Sequence, residues 1–593
     1  MNDIKKVLQM FRMMSAILDK KQKHKIRRLF VVIFIGALFE LLGVTALLPF
    51  MQAVLEPEKL LKNPYVFMIS DMFNVKTGAQ LIVLVSCFII LVYIIKNLFL
   101  IWSAYLQAMF SCNTQKELSV LMLESYIDHP YSFFLNNNSG DILRGVNQDV
   151  EGVYRVITHF FKFLAEGLTA VLIITGLLIT DPGMAIGVVL AGGISLILIV
   201  FFLKKKINRL GIVFRETMGI KNRYVYETVT GIKDVFVYDK KKYFLNAYSN
   251  AYEAGAKASA YYNFANACPE RIIEAICVLG IVIIVLIRIN SGIDSTEFVA
   301  KLGVFAMAAF RLMPSFTRIA GNINEFIYSR PSVEATYRNI ISARNYLNRI
   351  SEETDNIKEE VEKEFDDCIT VQGISWKYEE GLNNVLEDLN MHVSKGEAIG
   401  IVGESGSGKS TLSDILLHLY RPDSGTITMD GVDINSIPRT WNRCIGYVPQ
   451  RVFLLDSTVR DNVAFGEKSI DDDRVWKALK QARLKQFVEE LPDGLDTIVG
   501  ERGVKFSGGQ VQRIAIARAL YFEPQILILD EATSALDTDT EKAVMDAIDS
   551  LHGDITLLII AHRLSTIRNC DRVYEITGGK AIERKVQDVV DGQ

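Results

Sequence analysis

The 593-residue sequence predicts a membrane protein with two parts: six membrane-spanning helices, and after them a soluble α/β domain. Three observations support this fold class. Half of the residues are hydrophobic and the mean hydropathy is +0.21, which is high for a soluble protein. Six apolar runs before residue 330 reach the ~20 residues that a bilayer-crossing helix needs. From Cys368 onward, short β-type runs alternate with helical stretches, which is typical of a largely parallel sheet.

The membrane part, residues 1–335, has predicted spans near residues 29–55, 79–111, 157–180, 183–205, 266–289 and 297–322. The fourth is the clearest, because GMAIGVVLAGGISLILIVFFL carries no charge and KKK follows it directly. The connections at about 112–156 and 204–262 are long, polar and helix-forming, so we expect helices that continue into the cytosol. Basic residues at Lys20 to Arg28 and Lys204 to Lys206 place the N-terminus and these long loops in the cytoplasm. A large soluble helical protein fits the uncharged runs poorly.

Two shorter segments complete the organisation. KNPYVFMISDMFN, in the outer loop after the first span, predicts an external amphipathic helix near residues 63–74 that lies on the membrane surface. A plug that merely covers the dimer is the alternative for this loop. Residues 336–365 form an acidic linker to the soluble domain, residues 366–593. No basic stripe lies outside the membrane-flanking segments, so a nucleic-acid partner is not expected.

A glycine-rich loop, GIVGESGSGKST, follows a predicted strand and precedes a predicted helix. It fits the pattern G-x-x-x-x-G-K-S/T, in which backbone N–H groups surround phosphate oxygens and the helix presents its positive N-terminus to them. Lys409 is predicted to reach the outer phosphates and the Ser410 hydroxyl to bind Mg²⁺. The residues predicted to bind ATP in this loop are Gly403, Glu404, Ser405, Gly406, Ser407, Gly408, Lys409, Ser410 and Thr411.

The apolar strand ILILDE ends in two carboxylates. Asp530 is predicted to hold Mg²⁺ directly or through water, and Glu531 to polarise the attacking water as a catalytic residue. Both could merely cap a buried strand, but their order after the phosphate loop argues against this. The sequence therefore predicts an ATPase with ATP and Mg²⁺ as cofactors.

Between these motifs, KFSGGQVQRIAIARAL resembles the signature segment of ABC ATPases. The resemblance implies a homodimer in which two ATP molecules each lie between the phosphate loop of one chain and the signature of the other. Phe506 is the one departure, at a position where leucine is commoner. The resemblance implies four further single residues: Tyr378 would stack on adenine, Gln450 would lie near Mg²⁺ as a candidate metal ligand, Asp537 in SALD would contact ATP, and the catalytic His562 would hold the γ-phosphate. The ATP-binding residues of the signature would be Ser507, Gly508, Gly509 and Gln510.

The loop GERG, Gly500 to Gly503, resembles a loop found in ABC exporters but not in importers. Residues 129–150 and 227–238 resemble the first and second coupling segments of exporters. The resemblance covers essentially the whole chain. It implies a six-helix ABC-exporter transmembrane domain with long cytosolic helix extensions, followed by an α/β P-loop ABC ATPase domain.

Four cations in the membrane part form a hypothetical substrate site. Arg311 and Arg318 are seven residues apart and share one helix face, and Lys96 and Arg271 could join them across a cavity. Such a cluster suits an anion, especially phosphate oxygens. Structural roles are the alternative: Arg271 would pair with Glu274 three residues on, Glu40 and Glu166 would neutralise other cations, and Arg318 would lie in the cytosolic extension of the sixth helix.

These features together resemble the lipid-linked oligosaccharide flippases of bacterial protein glycosylation. The resemblance implies an ATP-driven flippase that moves an anionic lipid-linked substrate, a polyprenyl-diphosphate oligosaccharide, across the bacterial inner membrane, with the ATPase domain in the cytoplasm. An exporter of peptides, drugs or other lipids is the nearest alternative. An ATP-gated channel or sensor is a third, disfavoured because Glu531 and His562 are both present. The spans exclude a soluble ABC ATPase that acts on DNA or ribosomes.

Overall fold

The computed structural model describes residues 2–46, 77–180, 182–290, 295–355, 364–378, 383–500, 503–532, 538–561 and 563–590, with a few single positions between 50 and 57. The chain divides into two compact units. The first comprises Met1–His129 with Phe133–Asn348, and the second comprises Pro130–Ser132 with Arg349–Gln593.

The part of the chain before residue 356 is helical wherever it forms regular structure that the structure describes. A π-helical turn, Gly145–Asp149, joins two of its helices. In chain order the helices are α1 Asn2–Ile17, α2 Lys20–Thr45, α3 Gly78–Ile127, α4 Tyr131–Asn136, α5 Ser139–Arg144, α6 Val150–Thr180, α7 Pro182–Thr230, α8 Ile232–Val237, α9 Lys241–Asn290 and α10 Ser295–Asp355.

Capping residues define where the first two long helices begin. The Asp19 side chain accepts from the Gln22 backbone N–H while the Gln22 side chain accepts from the Asp19 backbone, which forms a capping box at the start of α2. Thr77 and Gln80 form the same arrangement before α3. Each box satisfies two backbone groups that a helix end otherwise leaves unpaired. Short polar sequences therefore fix the ends of long apolar helices.

The long helices exceed the thickness of a bilayer. Helices α3 and α9 each have 50 residues, which at 1.5 Å per residue gives about 75 Å against ~30 Å of hydrocarbon. This confirms the predicted long extensions. Among the described residues, Lys20–Thr45, Gly78–Ile127 and Ser139–Ile179 are long and apolar enough to cross a membrane. The predicted spans at 183–205, 266–289 and 297–322 fall in α7, α9 and α10.

Two predicted segments need separate mention. The external amphipathic helix near residues 63–74 lies outside the described residues. Helix α10 continues to Asp355, so the first part of the predicted linker at 336–365 is helical.

The second unit contains two sheets and the helices that cover them. Its strands are β1 Cys368–Trp376, β2 Leu386–Ser394, β3 Ala398–Val402, β4 Ser424–Met429, β5 Val432–Asp433, β6 Ile445–Val448, β7 Ile526–Asp530, β8 Thr556–Ile560, β9 Arg572–Thr577 and β10 Lys580–Arg584. Its helices are α11 Lys409–Leu416, α12 Pro438–Cys444, α13 Val459–Ala464, α14 Asp472–Gln481, α15 Lys485–Glu489, α16 Gly508–Tyr521, α17 Thr538–Asp549 and α18 Val586–Val590.

The larger sheet has the strand order β10-β9-β3-β8-β7-β6, and all of its pairs are parallel except β10 with β9. Strands β3, β7 and β8 are buried along nearly their whole length, as expected for strands covered on both faces. This confirms the predicted α/β domain. The order also places the carboxyl ends of β3 and β7 on the same edge, separated by β8, and these ends carry the phosphate loop and the two carboxylates.

Candidate functional site

The loop between β3 and α11 has a backbone that only glycine adopts easily at three positions. Gly403, Gly406 and Gly408 have φ values of +149°, +82° and +105°. A Cβ atom on Gly403 would lie 2.5 Å from the Ile576 carbonyl oxygen, and one on Gly408 would lie 2.7 Å from Leu386. The loop is therefore fixed by close packing as well as by its φ angles.

Lys409 begins α11, and its side chain folds back over the loop. Its Nζ donates to the carbonyl oxygens of Gly403 and Glu404, both at 2.8 Å. Burial lowers the pKa of Lys409, while the carboxylates of Glu531 and Asp530 oppose that shift. The ammonium group thus lies between the loop and the carboxylates, where a phosphate chain would need a counter-charge.

One polar atom of the loop supports an anionic ligand. The Ser407 hydroxyl oxygen is buried and has no hydrogen-bond partner in the described part of the chain. A buried hydroxyl without a partner costs about 1–3 kcal/mol, which a phosphate oxygen would recover. Ser410 is exposed one residue after Lys409, whereas Thr411 is buried. These residues fit ATP phosphates, and Ser410 presents the hydroxyl that would bind Mg²⁺.

Glu531 follows β7 in a left-handed backbone conformation, with φ +47°. This conformation is uncommon for a residue with a side chain, and it occurs most often where function requires it. The Glu531 N–H donates to the Ile560 carbonyl at 3.0 Å, which holds the turn against β8. Gln450 Nε2 donates to Glu531 Oε2 at 2.5 Å. The structure thus brings Gln450 and Glu531, two residues predicted from separate motifs, into contact.

A third carboxylate near this site was missed by the sequence reasoning. Asp414 lies on α11, and its burial together with the charge of Asp530 raises its pKa to about 6. Tyr447 also faces Asp530, and burial raises its pKa. The available signal was position: Asp414 is four residues after Ser410, on the same side of the helix that follows the phosphate loop.

The signature segment forms a second helix start with defined geometry. Ser507 caps α16, its side chain accepting from the Gln510 N–H at 3.3 Å while the Gln510 side chain accepts from the Ser507 N–H at 2.8 Å. Ser507 and Gly508 are exposed, and Gly509 is buried. The start of α16 is therefore accessible to a ligand carried by another chain.

Tyr378 is 46% exposed and contacts Trp376 edge to face, with ring centroids 4.5 Å apart. Its ring is therefore accessible, and its stacking on adenine stays a prediction. Asp537 and His562 lie outside the described residues. The other predicted ATP-site residues lie at or after the ends of β1, β3, β6 and β7, or at the start of α16.

In the membrane part, Glu40 on α2 pairs with two of the predicted cations. Lys96 Nζ on α3 lies 3.1 Å from Glu40 Oε2. Arg311 on α10 donates from Nε and Nη2 to Glu40 Oε2 and Oε1 at 3.2 and 2.8 Å. The side chains of Lys96, Glu40 and Arg311 are 10%, 12% and 24% exposed. One carboxylate thus joins three helices and two cations.

The other two cations have separate partners. Arg318 Nη1 donates to Glu166 Oε1 at 2.5 Å, and Ser315 Oγ donates to Glu166 Oε2 at 2.6 Å. The Arg318 side chain nevertheless remains 58% exposed. Arg271 pairs with Glu274 on its own helix at 3.3 Å, and both are largely exposed. Lys96 and Arg311 therefore share one carboxylate, Glu40, while Arg318 pairs with a different carboxylate seven residues further along α10. Arg271 forms an exposed pair within its own helix.

Comparison with known proteins bears on this arrangement. Residues 63–307 match the ABC transporter transmembrane region, and residues 386–534 match the ABC transporter family. The chain is 31% identical over 458 residues to the ATP-dependent lipid A-core flippase of Chromohalobacter salexigens, across 77% of either chain. The chain belongs to the ABC transporter family.

Two further similarities extend the comparison. This ABC transporter is 31% identical over 484 residues to ABC transporter B family member 1 of Dictyostelium discoideum, which spans 78% of the chain but only half the length of that protein. A solved structure of a bacterial Atm1-family ABC exporter with ATP bound matches with a TM-score of 0.75 and 22% identity, over 95% of this chain and 96% of the other. At that identity the structural match shows the fold, which is that of an ABC exporter with one transmembrane domain and one ATP-binding domain.

The ABC transporter also contains polar pairs that the sequence reasoning missed, continuing the row of Arg311 and Arg318 along α10. His159 Nδ1 on α6 lies 2.7 Å from Asn322 Oδ1, and Arg155 Nε lies 3.3 Å from Glu325 Oε1. Their signal was spacing, because polar residues recur at every third or fourth position of α10 and so share one helix face. That row comprises Arg311, Ser315, Arg318, Asn322, Glu325 and Ser329.

Proposed function

We propose that the chain is an ATP-driven flippase that moves a polyprenyl-diphosphate-linked oligosaccharide from the cytosolic to the outer leaflet of a bacterial inner membrane. ABC transporters couple ATP hydrolysis to transport, and this chain carries both a transmembrane domain and an ATP-binding domain. The basic residues from Lys20 to Arg28 before the first span support a cytoplasmic N-terminus and ATPase domain.

The substrate class is proposed from the hydrogen bonding and the exposure of the Arg318 side chain. A guanidinium has five N–H donors, and only Nη1 of Arg318 is bonded within the described residues. More than half of this side chain is exposed, although it lies on a helix with a predicted membrane span. A charge-assisted hydrogen bond contributes about 1.5–3 kcal/mol net, so the spare donors favour a ligand with phosphate oxygens.

The charge balance of the membrane pairs points in the same direction. Lys96, Arg311 and Arg318 supply three positive charges, and Glu40 and Glu166 supply two negative charges, which leaves one positive charge in each chain. In a homodimer the two chains would together offset the two charges of a diphosphate. Arg271 remains a candidate contact, although Glu274 already neutralises it.

In the ATPase cycle that this function requires, a second copy of the chain supplies the signature helix for each ATP. Ser410, Gln450 and Asp530 would hold Mg²⁺, which would neutralise charge that develops on the phosphates. Glu531 would orient and deprotonate the attacking water. Gln450 donates a hydrogen bond to Glu531, so the position of Gln450 would depend on whether Glu531 has bound that water. His562 would hold the γ-phosphate.

A second candidate substrate is a lipid A-core glycolipid. The name of several relatives at about 30% identity supports it, because they are called ATP-dependent lipid A-core flippases. Exporters of peptides, drugs or other lipids belong to the same family and form the remaining alternatives. The exposed donors of Arg318 favour the two phosphate-bearing lipids over neutral drugs.

The test is a flipping assay in proteoliposomes that carry a labelled polyprenyl-diphosphate oligosaccharide in one leaflet. The wild type should deplete that leaflet only with ATP, and Glu531→Gln should not. Arg318→Ala should lower the flipping rate at least tenfold, whereas Arg330→Ala, which removes a paired arginine from the same helix, should not.

Parallel assays distinguish the alternatives. If the wild type flips lipid A-core and leaves the diphosphate oligosaccharide in place, the second candidate is correct. If it hydrolyses ATP and moves neither lipid, the flippase proposal fails and peptides or drugs become the substrates to test. Arg271→Ala belongs in the same series, since a substrate contact predicts a loss of flipping and a local ion pair predicts none.

A further inference from the structure

We propose that a cavity between α2 and α3 binds one resident anionic phospholipid from the leaflet that meets the basic end of α2. The cavity has a volume of about 300 Å³, and the described residues that line it all belong to these two helices. It lies outside the ATP site and away from the ion pairs of Glu40 and Glu166. The proposal concerns a lipid that stays bound and does not depend on which substrate is transported.

The cavity has a polar end formed by the start of α2 and the end of α3. Lys25 and Arg28 line it from α2, and Asn113 and Thr114 line it from α3. Lys25 and Arg28 are three residues apart, so their side chains project from one face of α2. This end therefore presents an ammonium, a guanidinium, an amide and a hydroxyl, all of which can donate hydrogen bonds to phosphate oxygens.

The other end of the cavity is apolar. Leu29 and Val32 follow on the same face of α2, and Leu106 and Met109 face them from α3. Lys25 and Val32 are seven residues apart, so the cavity passes from charge to hydrocarbon over about 10 Å. A phospholipid changes from charged to apolar groups over a similar distance, because its phosphate is followed by the upper part of an acyl chain.

The position along the chain matches the membrane–water boundary. The basic run of α2 ends at Arg28, and the apolar run begins at Leu29. Basic clusters directly next to a span attract anionic lipid. The polar end of the cavity therefore lies at the level of lipid phosphates, and the apolar end lies at the level of acyl chains.

The two cations of the cavity are available for such a ligand. Within the described residues neither Lys25 nor Arg28 forms an ion pair, in contrast to Lys96, Arg311 and Arg318 in the same unit. Among the described residues of the lining Glu117 is the one carboxylate, and the Gln22 amide donates a hydrogen bond to it. Two cations against one engaged carboxylate leave a positive excess that a phosphate would offset.

The apolar walls make bound lipid a better occupant than water. Leu29 and Phe110, both in the lining, are only 7% exposed and belong to the core of the first unit, while Met109 is 48% exposed. Water in such a space would lack partners at its apolar end, because a cavity water needs two to four polar groups. An acyl chain that enters along Met109 fills the apolar end, and its phosphate satisfies the polar end.

The test measures lipid retention by the full-length protein with native mass spectrometry. The protein is titrated with phosphatidylglycerol and, separately, with phosphatidylcholine of the same acyl chains. Lys25→Gln with Arg28→Gln should weaken phosphatidylglycerol binding about tenfold or more, because two charge-assisted contacts are lost. Lys20→Gln with Lys21→Gln removes the same charge from the same basic run outside the cavity, and it should weaken binding by a clearly smaller factor, because neither residue lines the cavity.

A third variant tests the apolar end without changing any charge. Val32→Trp fills the cavity and should also weaken phosphatidylglycerol binding, and circular dichroism together with ATPase activity checks that the variant folds. The tight binding expected for the wild type should be specific to phosphatidylglycerol.

Three results would overturn the proposal. Equal losses in the two double variants would mean that the basic run acts only through its surface potential. Equal retention of phosphatidylcholine would remove the role of the cations. If bound phosphatidylglycerol leaves the wild type with ATP but stays on Glu531→Gln, and labelled phosphatidylglycerol in proteoliposomes moves to the opposite leaflet, the lipid is a transported substrate and not a resident one. Failure of the flipping assay above leaves each of these results unaffected.

Discussion

Glu40→Gln removes the carboxylate that neutralises two cations inside the membrane part. Lys96 is 10% exposed and Arg311 is 24% exposed, so both would remain largely buried without a counter-charge. Breaking a buried ion pair by removing one partner costs about 3–5 kcal/mol. The partial exposure of Arg311 favours the lower end, about 3 kcal/mol. At roughly 2–4 °C for each kcal/mol, the melting temperature in detergent should fall by about 6–12 °C.

Glu274→Gln is the matched control for this prediction. It removes a carboxylate from a similar pair, but Arg271 and Glu274 are 78% and 49% exposed, so the cost should stay below about 1 kcal/mol. Adding Lys96→Gln to Glu40→Gln should recover part of the loss, because one of the two unpaired charges disappears. The reasoning would be refuted if the two single variants melted at the same temperature, or if the added Lys96→Gln lowered stability further.

Two other predictions concern packing and pH. A Cβ on Gly211 would lie 2.1 Å from the Tyr328 carbonyl oxygen, so Gly211→Ala should force α7 and α10 apart. We expect this variant to lose at least about 1–3 kcal/mol of stability. A Cβ on Gly193 would have nothing within 4 Å, so Gly193→Ala should be neutral or slightly stabilising in the same melting assay. Because the folded pKa of Asp414, about 6, lies above its unfolded value, this residue favours folding below about pH 4 and loses that contribution, about 2–3 kcal/mol, as the pH rises through 6. Asp414→Asn should therefore shrink the fall in melting temperature of the nucleotide-free protein between pH 5 and pH 7.5, and an unchanged fall would contradict this.

The architecture could be predicted because its signals are local. Uncharged runs of about 20 residues have few structural outcomes, and the buried strands β3, β7 and β8 are recognisable as short apolar segments beside turn residues. The length of α10 was harder to predict. Its second half is rich in polar residues, which favours a linker there, but Phe326, Val333 and Ile340 recur every seven residues on one helix face and pack into the core of the first unit.

The ATP-site residues could be proposed for a different reason, since they follow motifs of fixed spacing, and their roles stay predictions. The contact between Gln450 and Glu531 required the fold, because these residues are 81 positions apart. Asp414 was missed because a carboxylate on an amphipathic helix normally faces water, and only the packing of α11 against β7 brings it near Asp530. Sequence patterns thus point to residues that follow motifs, while contacts between residues distant in the chain are found only in the structure.

The structure also separates two roles that the sequence assigned to one group of cations. Arg311 uses two nitrogens on both oxygens of Glu40 and is largely buried, so its main role is to hold α10 against α2. Arg318 uses one nitrogen on Glu166 and is mostly exposed. A phosphate that approached Arg311 would have to displace a carboxylate, whereas one that approached Arg318 would meet N–H donors that have no partner among the described residues. We therefore expect Arg318→Ala to impair transport more than it impairs stability, and Arg311→Ala to do the reverse. Melting temperature and flipping rate measured on both variants test this assignment. It is wrong if Arg318→Ala mainly lowers the melting temperature and Arg311→Ala mainly lowers the flipping rate.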